Sequence, residues 1–259
     1  MRVVNGAMSQ LTVVHALVLR ETRTRFGAHR LGYLWALLEP VLMILTFYAL
    51  FALAGRPSSS GMGLIPFLAT GIVTYQLFQQ TADRVASSVS ANKALLFYPH
   101  VHPLDLVFAR SALEVATFVT VFLVIVGAHG LVVQELTVDS ALTTVVGALL
   151  AGALGATLGL VFCSLGVISN SVDRVRGPLI RPLFWISGLF YSANDLPTQI
   201  REIMLWNPVL HCTELVRDGW FTSYTARYAS PTYVMGWIVA LALLGLVLER
   251  SVREKVQLT

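Results

Sequence analysis

A cluster of basic residues lies immediately before the first long apolar segment of the sequence. Arg23, Arg25 and Arg30 come first, and the apolar segment that follows carries Glu39. A charged side chain deep in lipid costs on the order of 3 kcal/mol, so Glu39 must face protein, water or a cationic partner. The arginines can anchor this end of the segment at a membrane surface, and they can attract an anion. The arginines that could pair with Glu39 are Arg30, Arg110 and Arg181.

Hydroxyl, amide and aromatic side chains follow one another at helical spacing in the second apolar segment. Thr70, Thr74 and Phe78 recur every fourth residue, and Tyr75 and Gln79 flank them. Because sugars stack on aromatic planes and hydrogen-bond through their hydroxyls, this stripe can line a hydrated path for a glycan. The alternative is a packing surface that holds neighbouring helices together. The first apolar segment adds aromatic residues that fit either interpretation, namely Tyr33, Trp35, Phe47 and Phe51.

Motifs that would place an ATP site or a reaction centre in this chain are missing from the sequence. No GxxxxGK[ST] loop is present, since the only lysines, Lys93 and Lys255, lie in other contexts. HExxH and GxSxG are also missing, and Cys163 and Cys212 show neither metal nor disulfide spacing. We therefore expect a non-enzymatic chain without a cofactor or metal of its own. A membrane-embedded enzyme is the alternative, and the scattered histidines do not favour it.

The composition indicates a protein that crosses a membrane several times. Hydrophobic residues make up 56% and charged residues only 12% of the 259 residues, whereas a soluble domain carries about 25% charged residues. Apolar stretches near the ~20 residues needed to cross a bilayer recur along the chain. We predict one all-α transmembrane domain over residues 1–259, with six membrane spans at 34–54, 64–81, 109–132, 141–168, 178–192 and 232–248. Pro40 lies in the first span, so we expect that helix to bend or begin there.

The distribution of basic residues predicts the orientation of these helices. Most of the 18 lysines and arginines fall on the side that holds both termini, and basic residues favour the cytoplasmic side. The exceptions on the opposite side are Arg56, Arg201, Arg217 and Arg227. We therefore expect cytoplasmic N- and C-termini, an interfacial helix at 9–29 and a cytoplasmic connection at 84–103. Because basic residues of a membrane protein set its orientation, the net charge of +4 does not indicate a nucleic-acid partner.

Two connections are too apolar to lie open in water. The cytoplasmic one contains LLFYPHVHPLD, and an exposed apolar surface of this kind needs a partner protein to cover it. Residues 193–230 on the outer side are too polar to cross the membrane twice. Asn207 before Pro208 is a favourable helix start, and Glu214 can pair with Arg217 three residues later. We predict half-inserted, re-entrant helices there, whose backbone must be covered by protein or line a cavity.

Three long stretches resemble one known protein family. They are TRFGAHRLGYLWALLEP, LLFYPHVHPLDLVFARSALE and LFYSANDLPTQIREIMLWNPVLHCTELVRDGWF, and in this order they resemble type-2 ABC-exporter permeases, most closely the capsule polysaccharide branch (KpsM-type). The resemblance covers the chain from about Glu21 onward. It implies a homodimeric, multi-pass protein of the bacterial inner membrane, with two separate ATP-binding subunits that use ATP and Mg. The O-antigen or teichoic-acid branch is the alternative.

The same resemblance implies a substrate and further partners. The exported molecule would be an acidic polysaccharide on a lipid anchor with a poly-Kdo linker. A periplasmic co-polymerase and an outer-membrane polysaccharide exporter would complete its path. By this resemblance the arginines before the first span face an anionic lipid-linked polymer at a cytoplasmic gate, and Glu39 and Pro40 set the shape and charge of that gate.

The resemblance also implies roles for individual residues, which fall into four sets. The gate set is Arg20, Arg23, Arg25, Arg30, Tyr33, Trp35 and Glu39. The canal set is Phe47, Phe51, Thr70, Thr74, Tyr75, Phe78 and Gln79. The coupling set, which would dock on the ATP-binding subunit, is Asn92, Lys93, Leu95, Leu96, Phe97, Tyr98 and Pro99. The segment 195–224 resembles paired periplasmic re-entrant helices, with Asn207, Pro208, Glu214 and Arg217 as its site residues.

Overall fold

The computed structural model describes residues 2–26, 32–55, 61–98, 101–133, 138–169 and 171–258. Within these ranges the chain forms helices joined by turns and contains no β-strand, so the prediction of an all-α fold is confirmed for them. The helices are α1 (Arg2–Phe26), α2 (Gly32–Leu53), α3 (Leu64–Ala86), α4 (Ser88–Ala91), α5 (Pro103–Val133), α6 (Ala141–Ile168), α7 (Ser171–Ile180), α8 (Leu183–Ile186), α9 (Thr198–Met204), α10 (Pro208–Trp220) and α11 (Pro231–Leu258). Short 3₁₀ turns lie at Lys93–Phe97 and Ala193–Asp195.

Among the described residues, four helices are long and apolar enough to cross a membrane. Their apolar segments are Leu34–Leu53, Pro103–Val132, Ala141–Ile168 and Pro231–Val252. The outward faces of α2 and α11 carry exposed leucines such as Leu45 and Leu243, which suits contact with lipid. Helix α2 continues through Pro40, so the alternative that it begins at this proline is wrong.

Helix α3 corresponds to the second predicted span but is more polar than these four. Gln76, Gln79 and Gln80 lower the hydropathy of its C-terminal half. Most of its side chains are nevertheless buried, because α2, α5, α6 and α10 pack around it. Protein surrounds most of this helix, and for that reason it can carry amide side chains that would be unfavourable against hydrocarbon.

The predicted fifth span, residues 178–192, is not one continuous helix. Helix α7 ends at Ile180, α8 covers only Leu183–Ile186, and the chain then turns at Gly188. Gly188 has a φ of +76°, and a Cβ there would lie 2.6 Å from Leu210 Cδ1. Glycine alone fits this turn easily, since it has no Cβ and adopts positive φ without strain. Helix α1 begins before residue 9, the predicted start of the interfacial helix. Helix α11 continues beyond residue 248, the predicted end of the sixth span.

Glycines on α6 let this helix approach α3 closely. A Cβ at Gly155 would lie 2.4 Å from the carbonyl oxygen of Phe78, and a Cβ at Gly159 would lie 2.7 Å from that of Ala82. Any larger side chain at either position must push the two helices apart. Gly155 and Gly159 form a GxxxG pattern, and this pattern lets α6 pack against α3 inside the chain, as small residues do between membrane helices.

Gly155→Ala is expected to destabilise the protein by about 1–3 kcal/mol, because the added methyl group overpacks the contact between α3 and α6. Gly166→Ala on the same helix is the matched control, since a Cβ there meets nothing within 4 Å. The measurement is the midpoint of thermal unfolding of each variant in one detergent. Equal midpoints for the two variants would contradict the packing described for Gly155.

Candidate functional site

A polar cavity of about 620 Å³ lies between α2, α3, α7 and α8. Its wall consists of Glu39, Met43, Tyr75, Gln76, Gln79, Gln80, Asp83, Arg84, Ser87, Arg176 and Phe184. The members from α3 recur every three to four residues, which places them on one face of that helix. Helix α3 leads from this cavity directly into the predicted cytoplasmic connection, so the cavity lies in the half of the protein nearer to that connection.

Both arginines of the cavity wall face carboxylates, one of them on the wall and the others beside it. Arg176 Nε lies 2.9 Å from Asp83 Oδ1, and Arg176 Nη1 lies 3.2 Å from Asp173 Oδ1. Arg84 Nε lies 3.9 Å from Glu114 Oε1. Partly exposed ion pairs of this kind add at most about 1 kcal/mol to stability. Their main effect here is to leave little unbalanced positive charge on the wall.

Aromatic side chains continue the cavity wall along α2 and α8. The ring of Phe184 lies 5.4 Å from that of Tyr75 and 6.0 Å from that of Phe47. Phe47 in turn lies 4.3 Å from Phe190, and Trp185 is edge-on to Phe184 at 5.1 Å. We call these five residues the aromatic cluster. Tilted and edge-to-face contacts hold its rings in fixed positions, and Trp185 remains 62% exposed.

The structure brings only part of the predicted canal set to this surface. The members at the cavity or the aromatic cluster are Phe47, Phe51, Tyr75 and Gln79. Tyr75 is itself buried, and Thr70, Thr74 and Phe78 are buried without lining the cavity. The hydroxyl of Thr70 donates a hydrogen bond to the carbonyl oxygen of Phe67 within its own helix. A role in a canal stays a prediction for the whole set.

Helix α1 is attached by polar contacts to the connection that is predicted to be cytoplasmic. Arg20 Nη1 donates a hydrogen bond to Asn92 Oδ1 at 3.0 Å, and Asn92 Nδ2 donates to the carbonyl oxygen of Ser88 at 3.1 Å. Glu21 Oε1 lies 3.1 Å from Arg110 Nη2 at the start of α5. These side chains join the predicted connection and the start of α5 to α1.

Arg110 joins three elements at this junction. Besides its ion pair with Glu21, Arg110 Nη1 donates hydrogen bonds to the carbonyl oxygen of Arg84 at 2.6 Å and to Ser87 Oγ at 3.1 Å. The C-terminal end of α3 is thus linked to α1 and α5. Beside these contacts, Leu17 of α1 packs into an apolar cluster with Leu106 of α5.

Glu21→Gln is expected to loosen α1, because the mostly buried guanidinium of Arg110 would lose its carboxylate partner. The loss of a charge-assisted contact should weaken this junction by about 1–3 kcal/mol. We expect the backbone amides of α1 to exchange hydrogen faster in this variant, and hydrogen exchange followed by mass spectrometry measures that rate. Glu202→Gln, at an exposed carboxylate of α9, is the control and should leave α1 unchanged. Equal exchange in both variants would contradict the attachment.

The predicted coupling set divides between a face toward α1 and a face toward solvent. Leu95 and Leu96 pack against the apolar cluster around Leu17. Phe97 is 80% exposed and Tyr98 is 63% exposed, so both rings stand free of the chain. The other described members are Asn92, which is buried, and Lys93, which is exposed. Pro99 lies outside the described residues.

The predicted gate set is only partly covered by the structure. The described side chains Arg23, Trp35 and Glu39 are exposed, and Glu39 lies at the cavity wall. Arg30 and the side chains of Arg25 and Tyr33 lie outside what the structure describes. No described residue forms an ion pair with Glu39, and Arg110, one of its three candidate partners, binds Glu21 instead.

A buried ion pair lies in α10. Arg217 Nη1 lies 3.2 Å from Glu214 Oε1, which confirms the predicted pairing, and Arg217 is fully buried. The same guanidinium donates to the carbonyl oxygens of Tyr191 at 2.8 Å and Leu189 at 3.4 Å, and it lies 4.0 Å above the ring of Phe67. Arg217 therefore connects α10 to the turn that follows α8 and to the start of α3.

Further hydrogen bonds hold this turn and α10 together. The hydroxyl of Tyr224 donates to Glu214. Asn207 caps α10 by accepting a hydrogen bond from the backbone N–H two residues later, and its Nδ2 donates to Ser187 Oγ at 2.9 Å. The predicted helix start, with Asn207 as the cap and Pro208 in the first turn, is confirmed. Whether α9 and α10 enter the membrane stays a prediction.

Sequence reasoning missed several residues of the cavity wall. Gln76 and Asp83 could have been found, because they share the helical face of Gln79 at spacings of three and four residues. Arg176 and Phe184 come from distant helices, and no local pattern in the sequence indicates that they meet α3. Their positions follow from the break between α7 and α8.

Comparison with known proteins extends over nearly the whole chain. The ABC-2 type transporter family matches residues 12–221. Polysialic acid transport protein KpsM of Escherichia coli is 31% identical over 255 residues, which cover 98% of each chain. Capsule polysaccharide export inner-membrane protein CtrC of Neisseria meningitidis is 30% identical over 92% of this chain and 89% of its own, and O-antigen export system permease protein RfbA of Klebsiella pneumoniae is 24% identical over 90% and 89%. This chain therefore belongs to the ABC-2 type transporter family, as a membrane-embedded transport subunit.

Proposed function

We propose that this chain is the transmembrane subunit of an ABC transporter that exports lipid-linked acidic capsular polysaccharide across the bacterial inner membrane. The observation that carries the proposal is the similarity, over 98% of both chains, to a protein named for polysialic acid transport. The aligned part therefore leaves out only a few residues of this chain. The O-antigen relative is less similar, at 24% identity against 31%, which favours a capsular polymer over an O-antigen or a teichoic acid.

In this proposal the chain crosses the membrane six times, with both termini in the cytoplasm. Helix α3 and the segment 178–192, which contains α8, join the four apolar helices as spans. The packing of protein around α3 supports its inclusion, because amide side chains at membrane depth need such cover. Helices α9 and α10 would enter only partway from the periplasm, which suits their short lengths and the internal pairing of Glu214 with Arg217.

Two separate ATP-binding subunits would supply the energy, with ATP and Mg bound on those partners. The exposed rings of Phe97 and Tyr98 support this part of the proposal, since an apolar surface of this kind favours a protein partner. The contacts of Arg20 with Asn92 and of Glu21 with Arg110 join the docking surface to α1. Closure of the ATP-binding subunits would thus move the gate helix.

Two copies of this chain would enclose the canal for the polymer. The aromatic cluster supports a place for α2 and α8 at that canal, because sugars stack on aromatic rings and because Trp185 is mostly exposed in the single chain. A periplasmic co-polymerase and an outer-membrane exporter would receive the polymer. The arginines of the gate would raise the local concentration of its anionic groups, since low-dielectric walls strengthen the attraction between opposite charges.

Replacing Arg23, Arg25 and Arg30 together by glutamine is expected to lower surface polysaccharide at least about tenfold, because electrostatic attraction raises the capture rate of a charged substrate by 10-fold or more. The measurement is quantitative immunodetection of the polymer on intact cells, with the amount of membrane-inserted protein determined in parallel. The control replaces Arg174, Arg250 and Arg253, which are predicted on the same side but lie outside the gate. Normal surface polysaccharide in the gate variant would contradict the gate assignment.

A further inference from the structure

We infer that the cavity between α2, α3, α7 and α8 is a binding site for an uncharged, hydroxyl-bearing sugar residue of the exported glycan. The inference rests on the proposed function for its biological setting, and it goes beyond that function in assigning a discrete subsite and its chemistry. The cavity volume of about 620 Å³ falls within the range of ~300–1,000 Å³ that small-molecule sites occupy.

Gln76 leaves part of its hydrogen-bonding capacity unused at the cavity wall. The residue is only 5% exposed, and its Nε2 makes one weak contact, to Met43 Sδ at 3.5 Å. Its Oε1 is buried and has no hydrogen-bond partner among the described residues. Buried polar atoms are nearly always paired in folded proteins. A donor supplied from within the cavity, such as a sugar hydroxyl, would satisfy this amide.

The surrounding side chains offer the two kinds of contact that a sugar residue needs. Gln79 and Gln80 lie on the next turn of α3, and Glu39 lies across the cavity on α2. Amides both donate and accept hydrogen bonds and carboxylates accept them, so together they match the mixed character of sugar hydroxyls. Phe184 also lines the cavity, and its edge-on contact with Tyr75 at 5.4 Å fixes the orientation of its ring. A ring held in this way is a stacking surface for the apolar face of a sugar.

The charges of the wall disfavour an anionic group in the same position. Arg176 lies between Asp83 at 2.9 Å and Asp173 at 3.2 Å, so its positive charge is already balanced. Arg84 faces the carboxylate of Glu114 at 3.9 Å. Among the described residues of the wall, no cation is left without a facing carboxylate to receive a phosphate or a carboxylate of a ligand. The gate arginines would attract the charge of the polymer, whereas this cavity would recognise its hydroxyls.

The test uses the full-length chain in lipid nanodiscs and saturation-transfer difference NMR with two probes of equal length, isomaltotetraose and tetragalacturonate. We expect the neutral tetrasaccharide to give a saturable signal that falls at least about tenfold in Gln76→Leu, as loss of a buried hydrogen bond predicts. Gln199→Leu, at an exposed amide of α9, should leave the signal unchanged. Phe184→Leu, which removes the stacking ring and no polar atom, should weaken the same signal.

Gln76→Met keeps the approximate length of the side chain but removes the amide, including the Nε2 donor to Met43 Sδ, so it reports on the amide even if the leucine variant folds poorly. A signal from the neutral probe that is equal in the wild type and in Gln76→Met would overturn the inference, and so would the lack of any signal. A tetragalacturonate signal that depends on Gln76 would overturn it in favour of an anion site. Binding to the purified chain does not require export. A chain that binds the neutral probe through Gln76 but exports no capsule would therefore refute the proposed function alone.

Discussion

Arg217→Leu is expected to destabilise the protein by about 3–5 kcal/mol, the cost of leaving one member of a buried ion pair without its partner. Glu214 would remain buried without its cationic partner, although the hydroxyl of Tyr224 would still donate to it. The carbonyl oxygens of Leu189 and Tyr191 would lose their donor at the same time. The measurement is the thermal unfolding midpoint of the purified variant, together with its amount in the membrane.

A second variant separates the charge from the volume of Arg217. In Glu214→Gln with Arg217→Met, both charges are removed and most of the volume is kept, so we expect a much smaller loss of stability. Arg227→Leu, at an exposed arginine predicted on the same side of the membrane, is the control and should unfold like the wild type. If Arg217→Leu unfolded at the same temperature as Arg227→Leu, the role assigned to the buried pair would be refuted.

Phe97→Ser combined with Tyr98→Ser is expected to abolish export by releasing the ATP-binding subunit. Exposed aromatic residues that become buried in a partner contribute about 2 kcal/mol or more each at the centre of an interface. Loss of both should therefore weaken binding roughly 10³-fold. The fold of this chain should be unaffected, because both rings are mostly exposed and contribute little to its core.

Co-purification of the ATP-binding subunit with the tagged chain measures this effect, and surface polysaccharide measures its consequence. Phe108→Ser is the matched control, because Phe108 is 62% exposed but lies on the apolar helix α5 rather than on the connection. We expect the control to retain the partner. If the double variant co-purified as much ATP-binding subunit as the wild type, the docking role proposed for Phe97 and Tyr98 would be wrong.

The parts of the fold that could be predicted from the sequence depend on local patterns. The long apolar helix α6 begins and ends at the predicted residues, because Ser140 caps its start and an uninterrupted apolar run defines its length. The start of α10 was equally predictable, since a cap residue before proline is a local signal. The pairing of Glu214 with Arg217 follows from helical geometry alone.

The parts that could not be predicted depend on contacts between distant segments. The sequence around residues 178–192 is apolar enough to suggest one span, yet the chain turns at Gly188, where Arg217 from α10 donates hydrogen bonds to the carbonyl oxygens of Leu189 and Tyr191. The partner of Arg110 was missed for the same reason, because the sequence suggested Glu39 and only the packing of α1 against α5 brings Glu21 to Arg110. The cavity combines α3 with Arg176 and Phe184, which no spacing in the sequence brings together.

The location of the lipid-linked capsular polysaccharide in cells that lack this gene tests the export function most directly. Fractionation and immunodetection would compare the polymer in the cytoplasm with the polymer on the surface. We predict polymer trapped inside the cell, with surface display restored by the wild-type gene and not by the variant with Phe97→Ser and Tyr98→Ser. A normal capsule together with missing O-antigen would assign the chain to O-antigen export instead, and an unchanged distribution of both polymers would contradict the proposed function.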